Sequence, residues 1–128
     1  MNVSTLMSAA ADLATIAGEV ALRRFQRPLA VETKRDGTPV TVADREAEAA
    51  ARAWLEARFP EDGILGEELG AVRESAARRW VLDPVDGTRT FLRWVPLWGS
   101  LVGVGEGGEV VAGAACFPAL RELLVAAR

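Results

Sequence analysis

The sequence predicts an α+β fold in which N-terminal helices pack on a mostly antiparallel sheet. Apolar residues with helical spacing dominate the first half, over 4–26 and 42–58. Short apolar segments, rich in small and β-branched residues and separated by glycine-containing turns, dominate the second half. Half of the 128 residues are apolar, which suffices for the core of one domain. Helices that come first and strands that come later are typical of the α+β class.

The first predicted helix covers 4–26 and ends before Pro28, which cannot continue a helix. A short extended segment at 30–33 and a turn at 36–39 follow it. Apolar residues form one buried stripe at a spacing of three to four positions: Leu6, Ala9, Leu13, Ile16, Ala17 and Val20.

The second predicted helix covers 42–58. Thr41 fits its N-cap and Asp44 its third position, as in a capping box, where each side chain binds the backbone N–H of the other residue. Pro60 and Gly63 end the helix. Its apolar face consists of Ala47, Ala50, Ala51, Trp54 and Leu55.

The predicted sheet begins with a short strand at 64–65 that leads to Glu67. Glycines at 107–108 predict a hairpin between two long strands. The remaining expectations are a helical turn at 71–78, a strand at 79–83 ended by Pro84, a helical turn at 88–93, and strands at 97–105, 109–117 and 120–127.

Charge and composition exclude several functions. The net charge is -3 and no basic block occurs, so we expect no nucleic-acid partner. Asp12 and Glu19 interrupt the apolar N-terminal stretch, which therefore predicts a helix and neither a signal peptide nor a membrane span. We expect a cytoplasmic protein with no membrane partner.

The sequence has no histidine, and Cys116 is its only cysteine. Within this chain, these absences exclude a Ser-His-Asp triad, an imidazole base, a Cys/His zinc site and an intrachain disulfide. The spacing from Cys116 to Arg121 is one residue shorter than the loop of cysteine phosphatases. We interpret Cys116 as a small buried apolar residue.

Two acidic motifs carry the strongest functional indication. Within residues 80–88, an apolar run ends abruptly in Asp83 and Asp86, and Glu67-Glu68 follows a second apolar pair bounded by glycines. Two unit charges about 4 Å apart repel each other by roughly 4 kcal/mol at an effective dielectric constant near 20. A hard cation such as Mg²⁺, which takes oxygen ligands and often shares them with substrate phosphates, offsets that repulsion.

The residues between and after the two aspartates fit a metal and phosphate site. Pro84 forces a sharp change of direction, so that the Val85 carbonyl can join the carboxylates. Gly87 allows close backbone approach to a ligand, and Thr88 stands where a helical turn begins, with N–H groups that bind anions. This layout is typical of metal-assisted phosphate ester hydrolysis. Taken singly, Asp-Gly-Thr is an ordinary turn and Glu-Glu an ordinary solvated loop, so the joint pattern carries the interpretation.

Residues 66–68 (Gly-Glu-Glu) and 83–88 (Asp-Pro-Val-Asp-Gly-Thr) together resemble the paired motif of the inositol monophosphatase family, whose members are Mg²⁺-dependent, lithium-sensitive phosphomonoesterases. Segments 31–45, 59–68 and 91–100 most resemble its histidinol-phosphatase branch. The resemblance implies half of a layered αβαβα sugar-phosphatase-type fold. It also implies hydrolysis of histidinol phosphate in histidine biosynthesis, with inositol-1-phosphate or another sugar or nucleotide phosphate as the alternative substrate.

The resemblance also implies a role for each candidate site residue. Asp44 and Thr88 would together orient and activate a water that attacks phosphorus in line. The backbone N–H groups of Gly87 and Thr88 would hold the phosphate. Glu68 would lie behind the metal ligands, and Lys34 would be a basic residue near the site. Mg²⁺ would bind to Glu67, Asp83, the Val85 carbonyl and Asp86.

Two departures from the family pattern stand out. Trp94 occupies a position where the branch commonly has glycine, and no aspartate follows Asp86, although the family's C-terminal half carries a further metal-binding aspartate. We therefore expect 1–128 to be the N-terminal part of an inositol-monophosphatase-like domain whose C-terminal half is absent. The expected ligand is a small phosphorylated metabolite, and the expected protein partner is a second copy or a complementary C-terminal half.

Two other hypotheses stay open. The chain is either a catalytically incomplete piece that associates with a partner through an exposed sheet edge, or a haloacid-dehalogenase-like phosphatase. The latter family needs acids at positions i and i+2, whereas Asp83 and Asp86 are at i and i+3. That spacing, and the second acidic motif upstream, fit this family poorly.

Overall fold

Two long helices lie against one face of a six-stranded sheet, and a two-stranded hairpin lies beside them. The computed structural model describes residues 2–128. Its elements in chain order are α1 (Val3–Leu22), β1 (Glu32–Thr33), β2 (Pro39–Val40), α2 (Val42–Arg58), β3 (Gly63–Gly66), β4 (Gly70–Val72), β5 (Arg78–Asp86), α3 (Thr88–Leu92), β6 (Gly99–Glu106), β7 (Glu109–Phe117), a 3₁₀ turn (Pro118–Leu120) and β8 (Glu122–Ala127). The α+β prediction is confirmed.

Helix α1 ends earlier than the predicted boundary at 26. The backbone N–H groups of Arg24 and Phe25 donate to carbonyls three residues back, which tightens the chain after Leu22. Gln26 then adopts a φ of 61°, which no α-helix allows. The extension of the helix over residues 23–26 was therefore wrong.

Among residues 2–128, α1 is the one helix that is long and apolar enough to cross a membrane by length and composition. Of its most apolar window, 44% is buried inside the protein. Core helices of soluble proteins and signal sequences have the same length and apolarity, so this property does not distinguish between them. The absence of a membrane partner stays a prediction.

Helix α2 begins at the predicted capping box. Asp44 Oδ2 accepts a hydrogen bond from the Thr41 backbone N–H at 2.8 Å, and Thr41 Oγ1 accepts one from the Ala43 N–H at 3.1 Å. Both capping side chains are buried, at 1% exposure. The start of α2 is therefore fixed by two reciprocal bonds inside the protein, where their loss would leave unpaired donors.

The sheet has the strand order β4-β3-β5-β6-β7-β8, and only the β3–β5 pair is parallel. Ile64, Trp80, Val104 and Ala112 lie side by side across four strands and are buried beneath the helices. Neighbouring residues point to the opposite face, where Val81 is 50% exposed. One face of the sheet thus forms the core, and the other carries apolar side chains without a covering layer in the described residues.

Two predictions about the sheet were wrong. Residues 71–78 do not form a helical turn, because β4 turns back at Gly70 (φ 78°) and pairs with β3. Strand β5 does not end at Pro84 but continues to Asp86, with a register shift between Asp83 and Asp86. Proline is tolerated at such an irregularity because the ladder needs no N–H from it there.

The parallel pairing of β3 and β5 sets the location of the acidic motifs. Carboxyl ends of parallel strands meet at the same edge of a sheet. Glu67 directly follows β3, and its N–H donates to the Leu82 carbonyl of β5 at 3.2 Å. Asp83 and Asp86 lie in the last part of β5. The two acidic loops are therefore neighbours in space although about 16 residues separate them in sequence.

Candidate active site

All of the predicted site residues except Asp44 line one cavity of about 330 Å³ at this sheet edge. Its walls come from the β1–β2 hairpin, the two acidic loops and the start of α3. A larger groove of about 710 Å³ follows the uncovered sheet face, and Asp83 is the one predicted site residue that it shares. The smaller cavity is lined by Lys34, Asp36, Thr38, Pro39, Glu67, Glu68, Asp83, Val85, Asp86, Gly87, Thr88 and Arg89.

Asp44 and Thr88 form a direct contact beside this cavity. The Thr88 hydroxyl lies 3.0 Å from Asp44 Oδ1 and 3.2 Å from the Val85 carbonyl oxygen, so its single proton has two acceptors. The other carboxylate oxygen, Asp44 Oδ2, accepts hydrogen bonds from the backbone N–H and the hydroxyl of Thr41, each at 2.8 Å. The capping box thus fixes the orientation of the carboxylate that binds Thr88.

Negative charge is concentrated around Asp83. Burial and then the nearby charges of Asp86, Glu67, Asp44 and Glu68 raise the pKa of Asp83 from 3.8 to about 7. Desolvation and like charges both disfavour a carboxylate, and here they act in the same direction. A cation at this point would relieve both effects, which is the electrostatic behaviour of a metal site before the metal is bound.

Lys34 is the cation that the chain itself brings to the acids. Its Nζ lies 3.0 Å from Glu68 Oε1 and 3.7 Å from Glu67 Oε2. Burial would lower the pKa of Lys34, but the hydrogen bond to Glu68 and the charges of Glu68, Glu67 and Asp36 together outweigh burial and raise it. Burial also raises the pKa of Glu68, and the bond to Lys34 opposes that rise without cancelling it. Lys34 compensates one acid of the cluster and leaves Asp83 uncompensated.

The carboxylates surround the cavity without meeting at one point. Among residues 2–128, no three acidic, histidine or cysteine side chains converge closely enough to hold one metal ion. Glu67 and Asp86 are exposed, and the pair between Glu67 and Lys34 is long and half in solvent. Such a pair restrains Glu67 by about 0–1 kcal/mol, so Glu67 and the exposed Asp86 carboxylate are free to rotate toward a shared ion. The donor set, all oxygen, fits a hard divalent cation.

Gly87 and Trp94 hold the backbone around α3 in left-handed conformations. Gly87 has a φ of 90°, and a Cβ there would lie 2.8 Å from Thr90 Oγ1. Trp94 has a φ of 63° and is 53% exposed. The residue that replaces the branch's usual glycine therefore keeps a glycine-like backbone, although a side chain there costs about 1–2 kcal/mol of local energy.

Sequence reasoning missed Glu48, which is fully buried on α2 one helical turn after Asp44. Its carboxylate accepts hydrogen bonds from the backbone N–H groups of Glu68 at 2.8 Å and Leu69 at 2.7 Å. The spacing of four residues from Asp44 was the available signal, because it puts both carboxylates on one face of the helix. Arg89 also lines the cavity.

The profile of the inositol monophosphatase family matches residues 2–128. The chain belongs to this family. It is 46% identical to a histidinol-phosphatase of Chlorobaculum parvum, over 93% of the chain and 46% of that protein. It is 43% identical to a histidinol-phosphatase of Mycobacterium tuberculosis, over 100% of the chain and 49% of that protein. It is also 38% identical to an inositol-1-monophosphatase of Mesorhizobium japonicum over 100% of the chain and 49% of that protein.

Solved structures of the inositol monophosphatase family share the fold. The extragenic suppressor protein SuhB of Bartonella henselae superposes with a TM-score of 0.91 at 31% identity, over 97% of the chain and 49% of that structure. An IMPase of Thermotoga maritima superposes with a TM-score of 0.89 at 30% identity, over 97% of the chain and 48% of that structure. The chain thus spans about half the length of the relatives that it matches. The resemblance found in the motifs is confirmed, and the family is generally metal-dependent.

Proposed function

We propose that this chain supplies the metal-binding and water-activating residues of a divalent-cation-dependent phosphomonoesterase. The contact between Thr88 and Asp44, at 3.0 Å beside the acidic cavity, carries the proposal. A hydroxyl whose proton is held by a buried carboxylate has both lone pairs directed elsewhere, where it can accept a proton from water. Family membership makes phosphate ester hydrolysis the reaction that this arrangement serves.

The proposed metal is Mg²⁺, and its proposed ligands are the carboxylates of Glu67, Asp83 and Asp86 and the carbonyl of Val85. Their support is the shared cavity, the all-oxygen donor set and the raised pKa of Asp83. When bound, Mg²⁺ polarises phosphoryl oxygens and makes water a better nucleophile. Glu68 lies behind this set, and its ion pair with Lys34 limits how much negative charge the cavity holds.

The protein's own groups then have the following tasks. Thr88 Oγ1 takes a proton from the attacking water and passes its own proton to Asp44 Oδ1. As the water oxygen bonds to phosphorus, the ester P–O bond breaks, and the leaving alkoxide takes a proton from solvent. Asp44 stays oriented throughout, because Thr41 holds its second oxygen. The backbone N–H groups of Gly87 and Thr88 hold the phosphate, and the left-handed conformation of Gly87 exposes its backbone to the ligand.

Histidinol phosphate is the proposed substrate, in histidine biosynthesis in the cytoplasm. Relatives named histidinol-phosphatase are 46%, 43% and 40% identical to the chain, against 38% for an inositol-1-monophosphatase. The inositol phosphate alternative therefore stays the second candidate. Because the chain spans about half of these relatives, we propose that 1–128 acts as the N-terminal part of a longer domain and that a complementary C-terminal half contributes the substrate-selecting contacts.

The test is phosphate release from histidinol phosphate and from myo-inositol phosphate, with and without Mg²⁺, by the chain alone and with a C-terminal half from a relative. We expect Mg²⁺-dependent release that Asp83→Asn abolishes. The matched control is Glu109→Gln, which removes an exposed carboxylate paired with Arg128 at the hairpin end of β7. Full activity of Asp83→Asn would contradict the metal assignment, and turnover of neither ester in any combination would contradict the phosphatase proposal.

A further inference from the structure

Glu48 is a fully buried charged residue that the proposed mechanism does not use. Removing a carboxylate from water costs several kcal/mol unless it is paired and hydrogen-bonded. Its oxygens accept hydrogen bonds from the Glu68 N–H, the Leu69 N–H and Arg52 Nε, at 2.8, 2.7 and 3.1 Å. Three donors meet one carboxylate, so its burial is compensated locally.

Two of these donors belong to the backbone of the acidic loop, not to the core. The N–H groups of Glu68 and Leu69 follow Glu67 in the turn from β3 to β4. Arg52 also donates to the Gly70 carbonyl at the end of that turn. The carboxylate of Glu48 and its arginine therefore hold both sides of the turn that presents the Glu67 side chain to the cavity.

The packing at Gly66 shows how close this contact is. A Cβ at Gly66 would lie 2.4 Å from the carboxylate carbon and one oxygen of Glu48. Glycine is needed here because the loop backbone approaches the carboxylate more closely than any side chain permits. The Gly-Glu-Glu motif thus combines a glycine that admits Glu48 with the two acids that Glu48 places.

Helix α2 connects this loop to the second acidic loop. Asp44 and Glu48 are four residues apart on one helix face, and Asp44 binds Thr88 while Glu48 binds the backbone at 68–69. A rigid helix that grips both loops fixes their separation. The spacing between the proposed metal ligands of the two loops is then set by α2 and not by the loops themselves.

We propose that Glu48 is a positioning residue that sets the metal affinity of the site by holding the Glu67-Glu68 loop at a fixed distance from Asp83. This inference rests on the proposed metal site. Residues that orient metal ligands typically change metal affinity 10–100-fold when they are mutated. Glu48→Gln keeps the shape of the side chain, but its single acceptor oxygen serves only one of the two N–H donors.

The test combines two measurements on the full chain. The first measurement is backbone amide exchange of the metal-free protein, read by NMR. In Glu48→Gln, the exchange rate is expected to rise at least about ten-fold at Glu68 and Leu69, because loss of one hydrogen bond opens that turn. The rate at Leu55, in the core of α2, is expected to stay unchanged. The Mg²⁺ concentration for half-saturation is expected to rise about 10–100-fold. Glu56→Gln is the control, because Glu56 is an exposed carboxylate of α2 that pairs with Arg73.

Each outcome decides the inference. Exchange that rises in the loop together with weaker Mg²⁺ binding supports it, and unchanged Mg²⁺ affinity in a folded Glu48→Gln overturns it. If Glu48→Gln does not fold, Arg52→Met takes its place, because it removes only one of the three donors to Glu48. We expect Arg52→Met to raise loop exchange and weaken Mg²⁺ binding by smaller factors. Unchanged Mg²⁺ affinity in Arg52→Met also overturns the inference. A wild-type chain that binds no Mg²⁺ refutes the proposed function instead, so the two failures are distinguishable.

Discussion

Asp83→Asn is expected to stabilise the metal-free protein while it removes metal binding. Asp83 has a folded-state pKa of about 7 against an ordinary value of 3.8. A carboxyl whose pKa is raised by folding is charged more readily in the unfolded chain. The ionised Asp83 therefore lowers the free energy of unfolding. This loss is absent below the ordinary pKa, grows as the pH rises from about 4 to 7, and is complete above pH 7.

The magnitude follows from the same values. A folded-state pKa of about 7, three pH units above the ordinary one, corresponds to roughly 4 kcal/mol for a group that solvent does not reach. Asp83 is only half-buried, so solvent screens much of this penalty and we expect about 1–2 kcal/mol. For a chain of this size that is a rise in Tm of roughly 4–8 °C.

Thermal or urea unfolding measures this effect. The proteins compared are wild type, Asp83→Asn and Glu109→Gln, each in the presence of a chelator at pH 8 and at pH 4.5. We expect Asp83→Asn to be the more stable protein at pH 8, and the gain over wild type to shrink to nearly zero at pH 4.5. Glu109→Gln should differ from wild type by less than about 0.5 kcal/mol at both pH values. A destabilised Asp83→Asn at pH 8, or a gain that does not depend on pH, would refute the reasoning.

Three further predictions concern single contacts. Thr88→Val should abolish phosphate release and also lower Tm, because the buried Asp44 Oδ1 loses its hydrogen-bond donor, whereas Thr88→Ser, which keeps that hydroxyl, should retain much of the activity and the stability; equal loss of activity in both variants would speak against the role of the hydroxyl. Gly66→Ala should lower the free energy of unfolding by about 1–3 kcal/mol in urea, because its Cβ meets the Glu48 carboxylate, and a neutral effect would show that the loop can move aside. Gly87→Ala should cost about 1–2 kcal/mol through its left-handed backbone and also lower turnover, as measured by unfolding and phosphate release on the same sample.

Local patterns predicted the parts of the fold that depend on local interactions. The capping box of Thr41 and Asp44 and the hairpin at 107–108 each involve groups a few residues apart, and both form as predicted. Strand β4 escaped prediction because Gly70–Val72 is too short to show an alternating pattern, and pairing with β3 decides its conformation. Pro84 was expected to end β5, but the sheet tolerates it at a register shift.

The candidate site divides in the same way. The acidic motifs are visible in the sequence because carboxylates cluster near predicted strand ends. Placing Asp44 against Thr88, 44 residues later, required the family resemblance and not periodicity or spacing. Glu48 was missed because its partners are backbone N–H groups 20 and 21 residues away, and a backbone group leaves no trace in the sequence.

A Mn²⁺ titration tests most directly whether the acids of both loops share a cation. Mn²⁺ replaces Mg²⁺ because the EPR signal of the free ion reports how much of it is bound. Titration of the metal-free chain is expected to remove the free-ion signal saturably, with Mg²⁺ in competition. Asp83→Asn and Glu67→Gln, one from each loop, should each weaken that binding. A free-ion signal that the wild-type chain leaves unchanged, or binding that both variants keep at full strength, would contradict the account.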